Sequence, residues 1–144
     1  MVVTEDMFKY SDSWELMRGD DDFVLKVPVG IRSKAELLEA FASAGHFPDY
    51  FGWNWDALQD CLRDLSWICS RRVVVMHRDL PLLDDPAECR IYLEILLMVL
   101  TDWTGSIRPD AAESPPEWPY VEHELIVIFP ANARGAVVRT LAGA

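Results

Sequence analysis

The segment FPDYFGWNWDALQDCLRDLSW, residues 47–67, decides how the rest of the chain is interpreted. Its second half predicts an amphipathic helix, because apolar residues recur there at helical spacing, in Leu58, Cys61, Leu62 and Leu65. Asn54 stands just before the first turn and is expected to cap it, since its side-chain oxygen can accept a hydrogen bond from a free backbone amide. The apolar stripe should face a core and leave the opposite side of the helix in solvent.

The solvent side of this helix carries a row of carboxylates, Asp56, Asp60 and Asp64, each four residues from the next. Like charges at this spacing destabilise a helix by about 0.2–0.5 kcal/mol per pair. Only Asp56 lies in the first turn, where the helix dipole favours a negative charge. The simplest interpretation is a solvated acidic face. Because Asp60 and Asp64 do not stabilise the helix, a binding role is the alternative.

The loop before the helix is unusually apolar for a connection that faces solvent. Pro48 and Gly52 restrict its shape, and aromatic residues crowd the entry to the helix, in Tyr50, Phe51, Trp53 and Trp55. Aromatic side chains beside an acidic helix face form the mixture of anchors and charge that is typical of protein–protein hot spots. The segment therefore favours a protein-binding surface over a metal site or a core element.

These residues also carry a resemblance to the barstar family, intracellular inhibitors of secreted ribonucleases. The matching positions run in unbroken register through Pro48, Asp49, Tyr50, Phe51, Gly52, Asn54, Asp56, Ala57, Leu58, Asp60 and Leu62. The order of strands and helices extends the resemblance over roughly residues 23–130. The resemblance implies that the surface which plugs a ribonuclease active site includes Tyr50, Gly52, Asn54, Asp56 and Asp60.

The expected contact surface has four further members that follow the family or extend it, Phe51, Trp55, Asp64 and Asp102. Asp102 lies near the end of a later helix and resembles the family's second acidic contact. Two more positions on this surface depart from the family pattern. Gln59 stands where the founding inhibitor has a large aromatic residue, and Arg63 adds a positive charge to a face meant for a basic partner.

Strands alternate with helices along the chain, which predicts an α/β fold. Three apolar, β-branched runs are expected to form strands, at residues 23–29, 71–77 and 124–129. The unbroken apolar centre of the second run suits a parallel sheet covered on both faces. Helices are expected after the caps Ser33, Asn54 and either Asp84 or Asp85. With right-handed crossovers, this order predicts a small three-stranded parallel sheet packed with helices.

A single domain with two terminal extensions is expected for a chain of this length. The predicted divisions are an N-terminal extension at 1–22, a barstar-like domain at 23–130 and a C-terminal extension at 131–144. A proline-rich insertion at 105–123 interrupts the domain and is much longer than most helix-to-strand connections. The C-terminal extension is expected to be helical, with Asn132 as its cap.

The charge balance favours a basic partner. The chain has 13 Lys and Arg residues against 24 Asp and Glu residues, a net charge of −11, and should repel nucleic acid and anionic membranes. Three cysteines without a Cys-x-x-Cys motif argue against a disulfide framework or a zinc site. The N-terminus lacks a signal-like apolar run, and no stretch approaches the roughly 18 apolar residues of a membrane span. A cytoplasmic location is therefore expected.

No motif in the chain indicates an enzyme. Asp56 and Asp60 could form the carboxylate pair of a hydrolase or a magnesium-dependent nuclease. One exposed helix is convex, however, whereas catalysis needs a pocket with convergent groups. His77, at the end of a strand, is the best catalytic candidate, but a structural role is the favoured interpretation of this histidine. We therefore expect no catalytic residue, no metal and no cofactor.

The resemblance to the barstar family therefore implies an inhibitor that forms a 1:1 complex with a basic, barnase-like ribonuclease of the extracellular type. Its carboxylates are expected where RNA phosphates normally bind, in charge-assisted contact with arginine or lysine. Two alternatives remain open. One is an immunity protein against a toxin that is not a ribonuclease, and the other is a regulatory binding module on the same fold.

Overall fold

The computed structural model describes residues 7–13, 19, 21–104 and 123–142. In chain order, the elements of these residues are β1 (Lys9–Tyr10), β2 (Phe23–Val27), α1 (Lys34–Ala44), α2 (Trp55–Asp64), β3 (Arg72–His77), α3 (Pro86–Thr104), β4 (Glu124–Phe129), a 3-10 turn (Ala131–Ala133) and α4 (Arg134–Ala142). The chain is a mixed α/β domain, as the sequence predicts.

All strands of the described sheet run parallel, in the order β1-β4-β3-β2. The parallel sheet is confirmed, but the predicted number of three strands is wrong, because four are present in the described residues. The additional strand is β1, in which Lys9 pairs with Ile128 and Tyr10 with Phe129. With only two residues and no apolar run, β1 has no sequence pattern of its own. It exists because the edge of β4 offers backbone partners to residues predicted to be an extension.

Strand β3 is buried on both faces of the sheet. Val73, Val74, Val75, Met76 and His77 are each at most 2% exposed. On one face, the main core joins the sheet to α1, α2 and α3, and on the other face Val74, Met76 and Ile128 form a separate small cluster. This burial explains the unbroken apolar run, since neither face of the strand can carry solvated side chains.

Helix α1 begins and ends where the sequence predicts. The Ser33 hydroxyl accepts a hydrogen bond from the Glu36 amide at 3.2 Å and donates one to the Glu36 carboxylate at 3.1 Å. Gly45 follows the helix because there is no space for a side chain there. A Cβ at Gly45 would lie 2.8 Å from both the Phe41 carbonyl oxygen and the Phe47 ring. The left-handed residue of this turn is the next one, His46, with φ of 53°.

Helix α3 is the longest element of the described residues and lies beside α2. Of its two predicted caps, Asp85 is the one that acts, because its carboxylate accepts a hydrogen bond from the Glu88 amide at 3.3 Å. Most of its apolar residues are buried, and Ile91 and Met98 are its exposed large apolar side chains. None of the helices in the described part of the chain is long and apolar enough to cross a bilayer.

Helix α4 closes the described chain against α3. Its predicted cap, Asn132, instead lies inside the short 3-10 turn that precedes the helix. That turn starts directly at Pro130, whose carbonyl accepts a hydrogen bond from the Ala133 amide at 3.0 Å. Residues 105–122 of the predicted proline-rich insertion lie outside the described residues. The predicted domain and extension boundaries remain predictions.

Candidate functional site

Helix α2 presents the acidic face that the sequence predicts. The Asn54 side-chain oxygen accepts a hydrogen bond from the Ala57 amide at 2.7 Å, which confirms the predicted cap. The predicted apolar stripe is buried in the core, in Leu58, Cys61, Leu62 and Leu65. The carboxylates of the opposite side are all exposed, in Asp56, Asp60 and Asp64. We call these three residues the acidic face.

The C-terminal end of α2 is fixed by a strained but buried residue. Leu65 has φ of 49°, in the left-handed region, and is fully buried. That conformation costs about 1–2 kcal/mol, which burial of a leucine side chain offsets with about 1.5–3 kcal/mol. His123, just before β4, places its two ring nitrogens 2.9 Å from the Leu65 carbonyl oxygen and 2.7 Å from that of Ser70. The acidic face is therefore anchored to the sheet at this end.

The loop before α2 exposes some of its aromatic residues and buries others. Phe51 is only 5% exposed and packs edge-on against Phe47, with ring centroids 5.1 Å apart. Phe51 is predicted to belong to the contact surface, but a tight turn from Pro48 to Phe51 points its ring inward in the structure. Tyr50, in the same turn, is 62% exposed. Gly52 is exposed, and its carbonyl oxygen accepts a hydrogen bond from the side-chain amide nitrogen of Asn54 at 3.4 Å.

Tyr50 connects the loop to the far end of the acidic face. Its hydroxyl donates a hydrogen bond to the Asp64 carboxylate at 2.8 Å. Partial desolvation, this hydrogen bond and the charge of Asp64 raise the pKa of Tyr50 well above its ordinary value. The phenol therefore stays a neutral donor. The loop thus folds back along α2, and one of the three carboxylates already has a partner inside the chain.

The two predicted residues of opposite charge, Arg63 and Asp102, pair with each other. The Arg63 Nε atom lies 2.8 Å from an Asp102 carboxylate oxygen, and both side chains are partly exposed. This contact joins α2 to α3 and neutralises the second acidic contact that the sequence predicts. Gln59 makes a parallel connection, because its amide nitrogen lies 2.8 Å from the Met98 sulfur of α3.

Trp55, also predicted to belong to the contact surface, is partly buried and contacts α1 and α3. Its indole N–H donates to the Glu88 carboxylate at 2.6 Å, and its ring stacks on Tyr92 with centroids 6.2 Å apart. The Lys34 ammonium lies 5.5 Å from the centroid of the same ring. The first turn of α2 has only one solvent side, which Asp56 occupies, so Trp55 is turned toward α1 and α3. It orients the helix.

The carboxylates that remain available are Asp56 and Asp60. In the described part of the chain neither forms an ion pair. Beneath them, burial and then the charges of Asp64 and Asp60 raise the pKa of the Cys61 thiol to about 11, so this cysteine stays neutral.

Trp53 is not among the contact residues predicted from the sequence, yet Trp53 is 57% exposed. The sequence feature that could have indicated Trp53 as a contact residue is its position in the aromatic loop that contains Pro48 and Gly52.

A concave region, separate from the acidic face, lies at the carboxyl ends of the strands. It is a groove of about 430 Å³ that includes Asp12, His77 and Arg78 in its lining. Its buried histidine is committed to the fold, because Nδ1 donates to the Ile128 carbonyl at 2.9 Å and Nε2 accepts from the Tyr92 hydroxyl at 2.6 Å. The Asp12 carboxylate accepts a bond from the Ala131 amide at 3.1 Å. The predicted catalytic candidate His77 therefore has a structural role here.

Metal ligation has no candidate cluster in the residues that the structure describes, since no three His, Cys, Asp or Glu side chains converge there. Of the three cysteines, Cys61 and Cys89 are buried and Cys69 is exposed.

Comparison with known proteins gives one family match. Residues 25–115 match the family described as Barstar (barnase inhibitor). The match covers more than half of the chain and contains the aromatic loop, the acidic face and α3. No curated protein and no solved structure gives a significant match. The chain belongs to the Barstar family, a family of inhibitors rather than enzymes.

Proposed function

We propose that this protein inhibits a basic, secreted-type ribonuclease by covering its active site with the acidic face and the exposed aromatic residues beside it. The observation that carries the proposal is the pair Asp56 and Asp60. Both are exposed, both lack a cationic partner among the described residues, and their spacing destabilises the helix that bears them. In a Barstar family member, binding to a cationic surface accounts for this cost.

The mechanism follows from the charge of the target. A ribonuclease binds a polyanion, so its cleft must be basic, and Asp56 and Asp60 supply carboxylates where RNA phosphates would sit. Charge-assisted hydrogen bonds to arginine or lysine are shorter and stronger than neutral ones. Tyr50 and Trp53 would pack against the partner beside these charge pairs and exclude water, which strengthens the pairs. No covalent step is needed.

The direct test is an inhibition titration. Purified protein is added to a barnase-like ribonuclease, and cleavage of a fluorogenic RNA is followed. We expect activity to fall linearly to zero at a 1:1 molar ratio when both proteins are well above the dissociation constant. The matched control is Glu39→Ala, which removes an exposed acid from the middle of α1 and should inhibit like the unchanged protein. Full ribonuclease activity at tenfold excess of inhibitor would contradict the proposal for this enzyme.

A pull-down of the natural partner separates the proposal from the immunity alternative. A captured protein with ribonuclease activity that the inhibitor abolishes supports the proposal. A captured toxin without ribonuclease activity, bound through the acidic face, supports an immunity protein instead. A small basic secreted nuclease encoded by the neighbouring gene would add independent support for inhibition.

A further inference from the structure

Trp53 is a large exposed aromatic residue in a backbone conformation that only small residues adopt easily. Its indole is 57% exposed and its φ is 57°, in the left-handed region. The preceding residue, Gly52, could take that conformation without strain, but it has no positive φ. The chain therefore places the strain on the tryptophan. Strained residues of this kind cluster at binding and active sites, where the surrounding structure holds them in place.

A row of aromatic rings holds Trp53 from below. Its ring centroid lies 5.0 Å from that of Phe51, which is buried. Phe51 in turn contacts Phe47 at 5.1 Å, and Phe47 contacts Trp67 at 5.6 Å. The indole is thus supported on one side while the rest of it faces solvent. Because the side chain is already positioned, a partner that binds it loses little conformational entropy in ordering it.

The surroundings of Trp53 favour a cation over a neutral apolar group. Asp56 is exposed three residues further along the chain, in the first turn of α2, and Asp60 follows one turn later. Among the described residues no cation lies over the Trp53 ring, whereas the Trp55 ring already has Lys34. An exposed indole three residues before an exposed carboxylate that has no cationic partner in the described part of the chain is suited to arginine, whose planar guanidinium stacks on aromatic faces and is weakly hydrated.

We propose that Trp53 is the specificity anchor of this inhibitor, and that it receives an arginine side chain of the partner. The guanidinium would stack on the free face of the indole while the Asp56 carboxylate supplies the opposite charge. The identity of the partner in this inference rests on the proposed function. The preference of Trp53 for a guanidinium group does not depend on it. It distinguishes arginine from lysine, because an ammonium has no planar face to stack.

The first experiment tests the chemistry without a ribonuclease. The ¹⁵N-labelled full chain is titrated with two capped tetrapeptides, Gly-Arg-Arg-Gly and Gly-Lys-Lys-Gly, and a Trp53→Phe variant identifies the Trp53 indole signal. We expect the arginine peptide to shift the Trp53 indole N–H and the Asp56 amide at least twice as far as the lysine peptide does. Equal shifts with both peptides, or no shift at Trp53, would overturn the proposal.

The second experiment uses a barnase-like ribonuclease and three substitutions at one position. Affinity should fall in the order Trp53, Trp53→Phe, Trp53→Leu, with Leu about tenfold weaker than the unchanged protein, as loss of a cation–π contact implies. Circular dichroism checks that each variant is folded, and Trp53→Ala measures the loss of all contact. If Leu binds as tightly as Trp while Ala does not, Trp53 is only an apolar contact and the proposal is wrong.

The two experiments also separate this inference from the proposed function. If neither the unchanged protein nor any variant binds the ribonuclease, the proposed function fails for that enzyme, while the peptide titration still supports or overturns the role of Trp53. If the ribonuclease is bound but its affinity is insensitive to Trp53→Leu, the proposed function stands and this inference fails.

Discussion

Asp60 is the residue at which the cost of the acidic face is clearest. It lies in the middle of α2 with Asp56 and Asp64 one turn away on either side. We expect Asp60→Ala to weaken the complex with the ribonuclease by about 2 kcal/mol or more, roughly 30-fold, as truncation of hot-spot residues does. Barnase–barstar is itself one of the systems behind that general range, and the magnitude is taken from there. Titration calorimetry measures the change.

The free protein should respond to Asp60→Ala in the opposite sense. Removing the central carboxylate eliminates two like-charge pairs at helical spacing, so the free energy of unfolding should stay constant or rise slightly. Urea unfolding of the variant and of the Glu39→Ala control measures this directly. An unchanged affinity would remove Asp60 from the binding surface, and a large loss of stability would show that its role lies in the fold.

His77 should make stability depend on pH. Burial lowers its pKa from 6.5 to about 4, although the hydrogen bond to Ile128 opposes this, so the folded protein keeps the imidazole neutral. The unfolded chain binds the proton more readily. The contribution of His77 is therefore fully present above pH 6.5 and is lost as pH falls from 6.5 toward 4, by up to about 3 kcal/mol.

Two variants isolate this effect from the titration of carboxylates. His77→Gln can still donate to the Ile128 carbonyl and accept from Tyr92, whose own pKa burial raises well above its ordinary value. Its free energy of unfolding should fall less between pH 6.5 and pH 4 than that of the unchanged protein. His46→Asn, which changes an exposed histidine, should retain the original slope. Identical slopes for all three proteins would contradict the assignment.

At the scale of elements, the contact between α2 and α3 sets the charge of the binding surface. Arg63 and Asp102 neutralise each other at 2.8 Å, and their partial exposure limits the pair to about 0–1 kcal/mol of stability. The ion pair between Arg63 and Asp102 should have a larger effect on the affinity for a basic partner than on stability. Arg63→Ala leaves Asp102 unpaired and should strengthen binding to a basic partner, whereas Asp102→Ala leaves Arg63 unpaired and should weaken it.

A double-mutant cycle tests this contact. The variant with both substitutions should bind with nearly the affinity of the unchanged protein, because the net charge of the pair is zero in both. Affinities of the four proteins for one ribonuclease are compared at fixed ionic strength. Losses of affinity in both single variants would mean that the partner binds the ion pair as a unit, and that neither residue acts through its charge alone.

For the whole molecule, the net charge of −11 should govern the rate of encounter with a basic partner. We expect the association rate constant to fall about tenfold or more between low and physiological ionic strength, while dissociation changes much less. Barnase–barstar is a known example of such steering, and the size of the effect is taken from it. Stopped-flow mixing at several salt concentrations gives both constants. A salt-independent association rate would assign the acidity to solubility.

The sequence by itself determined the parts of this protein that depend on near neighbours in the chain. The Asn54 and Ser33 caps, the apolar stripe of α2 and the buried run of β3 all follow from spacing and local hydrogen bonds. The row of exposed aspartates follows in the same way, because helical periodicity alone puts them opposite the stripe. These features locate the acidic face.

The tertiary structure decided which of the candidate residues remain available to a partner. Pairing of Arg63 with Asp102, of Gln59 with Met98 and of Trp55 with Glu88 joins residues more than 30 positions apart, and no local pattern specifies such contacts. The inward turn of Phe51, the outward position of Trp53 and the fourth strand β1 likewise depend on the space left by other elements. Periodicity in the sequence indicates which side of an element faces solvent. Contacts between elements depend on how distant parts of the chain pack, and that packing forms only when the whole chain folds.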